Sequence, residues 1–256
     1  MRIVIKVGTS TLTHATGHVN IRHMESLVKV LSDLKNAGNE VILVSSGAIG
    51  MGVGKLNLPE RPKTMPGKQA AAAVGQCELM YTYDRLFALY SHIVAQILLT
   101  GEDLQSDERR GNFENTVEEL LKMHVLPVIN ENDTVATSEI KVGDNDTLSA
   151  IVAKCVGADL LILLSDIDGL YTGDPRKDPA AKKIDTVEEI TPEIESLASD
   201  GGSKLGTGGM VTKIRAARLV NDAGCDMVIL NGSDAQLLYA LLDGENVGTR
   251  FVGKRK

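Results

Sequence analysis

Aromatic side chains are scarce in this 256-residue chain: three Phe, five Tyr and no Trp, 3% in all. The core must therefore be aliphatic, and a hydrophobic share of 43% is enough to fill one. The shortage also removes the platforms on which single-stranded nucleic acids stack. A net charge of −7 and a pI near 5.3 point the same way, because such a surface repels phosphate backbones. No apolar run approaches the roughly 20 residues of a membrane-spanning helix. Neither nucleic acid nor membrane is expected as a partner. The start "MRIVIKVG" carries Arg2 and Lys6 within a short apolar run and does not read as a signal peptide. Cys77, Cys155 and Cys225 are odd in number and far apart, so neither a disulfide framework nor a metal-ligand spacing is indicated. Three buried thiols in a soluble, cytoplasmic protein are the expectation.

Other absences narrow the chemistry. His14, His18, His23, His92 and His124 show no H-E-x-x-H or other ligand spacing, and none adjoins a Ser or Cys in a nucleophile motif. His92 and His124 are expected at strand starts in structural roles, and no metal-ligating residue is predicted. Neither G-x-x-x-x-G-K-[ST] nor G-x-G-x-x-G occurs, which removes the P-loop reading and disfavours a dinucleotide fold.

What is present is alternation. "RIVIKV" (2–7) and "EVILVS" (40–45) are short apolar runs that read as buried strands. Between them Ile21, Met24, Leu27, Val28, Leu31 and Leu34 recur at helical spacing, with Asn20 to cap the helix and Gly38 to end it. A glycine-rich loop, "SSGAIGMGVG", is expected after the second strand. Helices are predicted over 68–79, 81–89, 115–123, 147–156, 211–223 and 235–242, and strands over 93–100, 125–130, 159–164 and 227–230. Nearly all-apolar strands alternating with helices indicate an α/β fold with a mainly parallel sheet covered on both faces. One domain over 1–256 is expected, with two lobes dividing near residue 150.

In such folds ligands bind beyond the carboxyl ends of the strands. The exits here are "KVGTSTLT", "VSSGAIGMG", "VINENDTVAT", "LSDIDGLYTGDPR" and "GGSKLGTGGMVTK", and all but "VINENDTVAT" contain glycine. Glycine lets backbone amides approach an oxyanion, and a helix N-terminus adds a favourable dipole. "GTGGMVTK" (206–213) combines three glycines, two threonines and a lysine at a helix start; alone it also reads as a surface hairpin. Lys6 lies in an apolar strand just before Gly8, Thr9 and Ser10. It either snorkels to solvent or meets an anion. Lys6 and Lys213 could clamp a transferring phosphoryl group from two sides, with Asp146 orienting both ammonium groups. In "KVGDNDTLSA" the short polar residues also suit a helix cap. Two lysines without an evident base fit a carboxylate acceptor, already ionised at neutral pH, better than an alcohol. For an alcohol, Asp133, Asp144 or Asp166 could serve as the base.

These blocks, together with "VINENDTVATSEIKVGDNDTLSA", resemble the amino acid kinase family, in order from Lys6 to about Val252. Within it, "INENDTVAT…EIKVGDND" and "KLGTGGMVTK" are similar to the glutamate-phosphorylating branch. The resemblance implies a three-layer α/β/α sandwich, the acidic substrate in the lobe of about 1–150 and ATP in the lobe of about 151–256. It implies transfer of the γ-phosphoryl of ATP to the side-chain carboxylate of L-glutamate, the first step of proline biosynthesis. Lys6 and Lys213 would stabilise the transferring group and Asp146 would organise them. Ser46, Gly47, Asp133 and Asn145 would hold glutamate. Lys6, Ser165, Asp166, Gly206, Thr207, Gly208, Gly209, Met210, Val211, Thr212 and Lys213 would hold ATP, with Mg²⁺ carried mainly by the phosphates. Proline as feedback inhibitor, a homo-oligomer and possible hand-over of product to the next enzyme of proline synthesis belong to the same implication. Many members of that branch carry a C-terminal PUA domain, and none is expected in this chain, which stops at Lys256. The alternatives are another member of the family (an acetylglutamate kinase, aspartokinase or uridylate kinase), or a non-catalytic amino acid or nucleotide sensor.

Overall fold

The computed structural model describes residues 1–136, 144–175, 178–199 and 209–255. Its elements run β1 (Arg2–Val7), α1 (Thr9–Leu12), α2 (Ile21–Asn36), β2 (Glu40–Ser45), α3 (Ala48–Lys55), α4 (Met65–Ala88), β3 (Val94–Leu99), α5 (Gly101–Gln105), α6 (Asp107–Lys122) and β4 (Leu126–Glu131). Then come α7 (Asn145–Cys155), β5 (Leu160–Ser165), β6 (Leu170–Tyr171), β7 (Lys183–Ile184), β8 (Thr186–Val187), α8 (Pro192–Ser199), α9 (Met210–Asn221), β9 (Asp226–Asn231), α10 (Leu237–Leu242) and β10 (Thr249–Phe251).

One eight-stranded sheet runs in the order β3-β4-β2-β1-β5-β9-β10-β8. It is parallel except where β10 pairs antiparallel with β9. The strands read as continuous apolar runs because both faces are covered. Ile3, Ile5, Val7, Leu43, Ile162 and Leu164 pack with Leu31, Tyr83, Phe87 and Leu238 from α2, α4 and α10. Their alternates, such as Val4, Val44, Leu161 and Leu163, pack with Val117, Leu148, Ala217 and Val220 from α6, α7 and α9. The expected three-layer α/β/α sandwich is what forms. With Phe and Tyr few, both layers are filled with Ile, Leu and Val; the β-branched Ile and Val suit a pleated surface.

Period-two alternation also decides where Lys6 goes. It shares a face with Val4, and its register partners are Val44 and Leu163. Lys6 therefore emerges on the α7–α9 side, at the carboxyl end of the central strand. β2 lies on one side of β1 and β5 on the other, so β1 is where the strand order reverses and a crevice opens.

Several expectations are corrected. "SSGAIGMGVG" is not a loop: Ser45 and Ser46 lead into α3, with Gly47 as its N-cap at φ +110. Its glycines serve packing. A methyl on Gly52 would run into the backbone carbonyl of Ala71 on α4, and one on Gly75 would run into that of Ala48. The two helices predicted over 68–79 and 81–89 are a single 24-residue helix, α4, which Thr64 caps. The helix predicted from 115 begins at Asp107, after the short α5. Thr100 and Asp103 form a capping box there and Ser106 caps α6, start signals that apolar periodicity alone does not register. Of the three thiols expected to be buried, only Cys225 is; Cys77 is exposed on the outer side of α4 and Cys155 is intermediate. No described helix is long and apolar enough to cross a membrane.

Candidate active site

α7 answers what the polar cluster before it does, because its residues divide the work. The Asp144 side chain is the cap, accepting from Thr147 N at 2.8 Å and from Thr147 Oγ1 at 3.0 Å. Asp146, two residues later, points inward and is 1% exposed. Its Oδ1 meets Lys6 Nζ at 2.7 Å in an ion pair. Its Oδ2 accepts from Lys213 Nζ at 3.0 Å and faces Thr212 Oγ1 at 3.0 Å. Burial alone would raise the Asp146 carboxyl, but the ammonium groups of Lys6 and Lys213 outweigh it and hold the group below the usual carboxylate range. One buried carboxylate thus fixes two lysines from elements far apart in sequence, β1 and α9.

Two cations around one anion leave a net positive charge in a largely dry place, with Lys6 12% and Lys213 5% exposed. Such a spot attracts an anion, and its field is little screened. Beside it lies a cavity of about 310 Å³ lined by Asp166, Asp168, Tyr171, Met210, Lys213 and Asn231 among others. The first turn of α9 opens onto the same space. Its N-cap, Gly209, offers no side-chain cap, and a methyl there would meet nothing within 4 Å among the described residues. The first amides of such a turn can receive an oxyanion.

On the other side of the lysines, β2, β4 and α7 bring neutral polar groups together. Asn145 Nδ2 donates to Ser46 Oγ at 2.7 Å and to Asn130 Oδ1 at 3.1 Å. Asn130 Nδ2 in turn donates to Gln76 Oε1 on α4 at 3.0 Å. Gly47 follows Ser46 as the α3 N-cap. Asp133 occupies the turn after β4, its N–H bonded to Glu131 O at 2.9 Å.

Lys6, Asp146 and Lys213 are therefore in contact, as are Ser46 and Asn145. Asp166, Gly209, Met210 and Lys213 line the cavity. Ser165 sits at the β5 exit, its Oγ 3.1 Å from Asp166 Oδ1. Thr212 turns to Asp146 rather than to the cavity, and Val211 is exposed. Gly206, Thr207 and Gly208 lie outside the described residues. Sequence reasoning misses Gln76, Asn130 and Asn231. Asn130 and Asn231 are findable as polar ends of buried strands; Gln76 sits mid-helix with no local signal.

The model of the amino acid kinase family matches residues 1–231. The glutamate 5-kinase of Clostridium acetobutylicum is 56% identical over 255 residues, covering all of this chain and 96% of that enzyme. The glutamate 5-kinase of Carboxydothermus hydrogenoformans is 56% identical over 256 residues, covering 68% of its own greater length. Among solved structures, carbamate kinase from Giardia lamblia bound to AMP-PNP superposes with a TM-score of 0.70 at 18% identity, over 99% of this chain and 98% of that one. The T. acidophilum isopentenyl phosphate kinase gives 0.69 at 17%, over 98% and 100%, and both show the same fold. On the family match and the full-length identity together, this chain belongs to the amino acid kinase family.

Proposed function

We infer that the chain transfers the γ-phosphoryl group of ATP to the side-chain carboxylate of L-glutamate, forming L-glutamyl 5-phosphate for proline synthesis. The observation that carries phosphoryl transfer is the buried Asp146 holding Lys6 and Lys213 beside a helix start whose N-cap, Gly209, has no side chain. Glutamate as the acceptor rests on the full-length likeness to enzymes named glutamate 5-kinase.

The transferring group spreads negative charge over its oxygens while the acceptor arrives already ionised, so positioning and charge neutralisation make up most of the chemistry. Lys6 and Lys213 neutralise that charge from two sides, and Asp146 keeps both ammonium groups in place before the substrates arrive. No base is required, because a carboxylate acceptor has no proton to lose. Ser46, Gly47, Asp133 and Asn145 bind glutamate, Asp133 pairing with its α-ammonium. ATP takes the cavity, with Ser165, Asp166 and the stretch from Gly206 to Lys213 around it. This assigns the substrate to the half before about residue 150 and the nucleotide to the half after it.

Mg²⁺ fits these residues as an ion held by phosphates. Among the described residues no three His, Cys, Asp or Glu side chains converge, and Asp146 is taken by its lysines. When bound, such an ion would supply further neutralisation of phosphate charge, with at most a nearby carboxylate such as Asp166 from the protein. The product is an acyl phosphate, which water destroys, so hand-over to the next enzyme and closure over the site have a physical motive. Proline shares the α-carboxylate and ammonium of glutamate and competes for the same pocket.

Hydroxylamine traps acyl phosphates, so incubation with ATP, Mg²⁺ and either glutamate, N-acetylglutamate or aspartate tests the reading. Hydroxamate is expected from glutamate alone. Hydroxamate from one of the other acids instead would leave the lysine clamp standing and remove the glutamate assignment. Proline added to the same assay is expected to raise the glutamate KM; an unchanged KM would remove the inhibitor.

A further inference from the structure

The polar groups behind Ser46 form a chain whose hydrogen-bond direction is fixed at one point. Asn130 Oδ1 accepts from the backbone N–H of Glu131 at 2.9 Å, and a backbone amide can only donate. That settles which end of the Asn130 amide is oxygen, and the rest follows. Nδ2 of Asn130 must face the other way, toward Gln76, so Gln76 must present Oε1 to it, at 3.0 Å. On the near side Asn145 must present Nδ2 to Asn130 Oδ1, and the second hydrogen of that Nδ2 goes to Ser46 Oγ at 2.7 Å. Ser46 Oγ is thereby made an acceptor within the protein. Its own proton has no acceptor among the described residues and is left for a ligand.

Gln76 is the far anchor of this chain, and it holds its place at a cost. It is 8% exposed, and its Nε2, turned away by the requirement on Oε1, has no hydrogen-bond partner among the described residues. A buried donor left bare costs free energy, which the Oε1 bond to Asn130 offsets in part. α4 is seated to deliver it. The bare Cα of Gly75 lets α4 close onto α3, and two turns on, the Tyr83 hydroxyl reaches Ser45 Oγ at 2.8 Å. One helix thus backs the exits of both β2 and β4.

We propose that Gln76 is a positioning residue for the acceptor carboxylate: through Asn130 and Asn145 it fixes the direction in which the Ser46 hydroxyl donates. The inference rests on the glutamate reading above. Without Oε1 the Asn130 amide loses its outer anchor, Asn145 can rotate, and the Ser46 proton is free to turn away from the substrate. The affected quantity is glutamate binding, since the lysines and the nucleotide cavity lie on the other side of Asp146.

The test is Gln76→Met, which keeps the bulk and removes both polar atoms. The glutamate KM is expected to rise roughly tenfold, the worth of one hydrogen bond to a charged group. The ATP KM and kcat should change less than about threefold, and the thermal midpoint should change little, because one bare buried donor, Gln76 Nε2, is exchanged for another, Asn130 Nδ2. In a double-mutant cycle, adding Gln76→Met to Ser46→Ala should raise the glutamate KM little further, because both act through one hydroxyl. An unchanged glutamate KM in Gln76→Met, a fall in kcat that matches the KM change, or additive effects in the cycle would overturn the inference. Gln76→Leu is the second variant if the first does not fold. Failure of both to fold would also overturn it, since the side chain would then be needed for the fold rather than for positioning. Wild-type turnover is the control: no hydroxamate from glutamate removes the reading and the inference with it, whereas turnover with unaltered variants removes the inference alone.

Discussion

Two stretches look alike as sequence, "SSGAIGMGVG" and "GTGGMVTK", yet Gly52 of the first and Gly209 of the second meet opposite surroundings among the described residues. In the first, glycine is required because something is already there. The α3–α4 interface brings backbone onto backbone, so a methyl on Gly52 or Gly75 would overlap a carbonyl. In the second, at Gly209, no described residue occupies the position a Cβ would take, which lies next to the amides of α9 and the cavity. One glycine stretch removes bulk so that helices can close. On the proposed reading, Gly209 in the other leaves room for a phosphate to come close. Composition cannot separate these, whereas the neighbour at the Cβ position does.

The sharpest way to break the comparison is Gly52→Ala. Alanine favours the helix by about 1 kcal/mol where it fits. Here the gain is overwhelmed, because the obstacle is backbone and cannot swing aside. A loss of about 3 kcal/mol or more is expected, read as a lower urea midpoint at unchanged slope. A stability equal to wild type would mean that α3 and α4 have room between them for a methyl, and the packing role would go.

Next in size is Lys213→Met, three residues into the helix that the second stretch starts. Removing one of two ammonium groups from the transferring phosphoryl should lower kcat roughly 10²–10³-fold. Asp146 retains Lys6 and Thr212, so the carboxylate is not stranded and the fold should persist by circular dichroism. A kcat within a few-fold of wild type would remove Lys213 from the chemistry and leave it as a structural ion pair.

Much of this is legible in the chain itself. The two-period of β1 puts Lys6 on one face at a strand exit, and the all-apolar strands require layers on both sides. Lys6, Asp146 and Lys213 can be nominated together because a lysine in an apolar strand has to be matched by an anion. What cannot be read depends on approach between distant segments. Nothing within "AAAAVGQCELM" distinguishes buried Gln76 from exposed Cys77, because the inner side of α4 is set by Gly52 and Gly75 meeting across two helices. The start of α6 is legible in principle, from Ser106 and the acidic first turn, but a search for apolar spacing passes over a polar beginning. The resemblance implies Thr212 for the nucleotide. Its hydroxyl lies 2.8 Å from Gly209 O and 3.0 Å from Asp146 Oδ2, the latter 66 residues away in the sequence.

The smallest effect, and the finest test of the contrast, is Gly209→Ala. The residue has φ −75° and ψ −176°, which alanine adopts without strain, and its methyl would meet no described residue within 4 Å. Alanine is the poorer N-cap, so the fold should lose about 0.5 kcal/mol and no more than about 1. Function should respond differently from stability. The methyl would occupy the approach to the first amides of α9, so the ATP KM should rise a few-fold while the glutamate KM stays put, in the reverse of the pattern expected for Gln76→Met. Initial rates over a matrix of both substrates separate the two. If Gly209→Ala destabilised as Gly52→Ala does, the space would be filled and both stretches would be packing devices. If it left the ATP KM untouched, the phosphate would lie elsewhere along the stretch, and the open Cα of Gly209 would be incidental to binding.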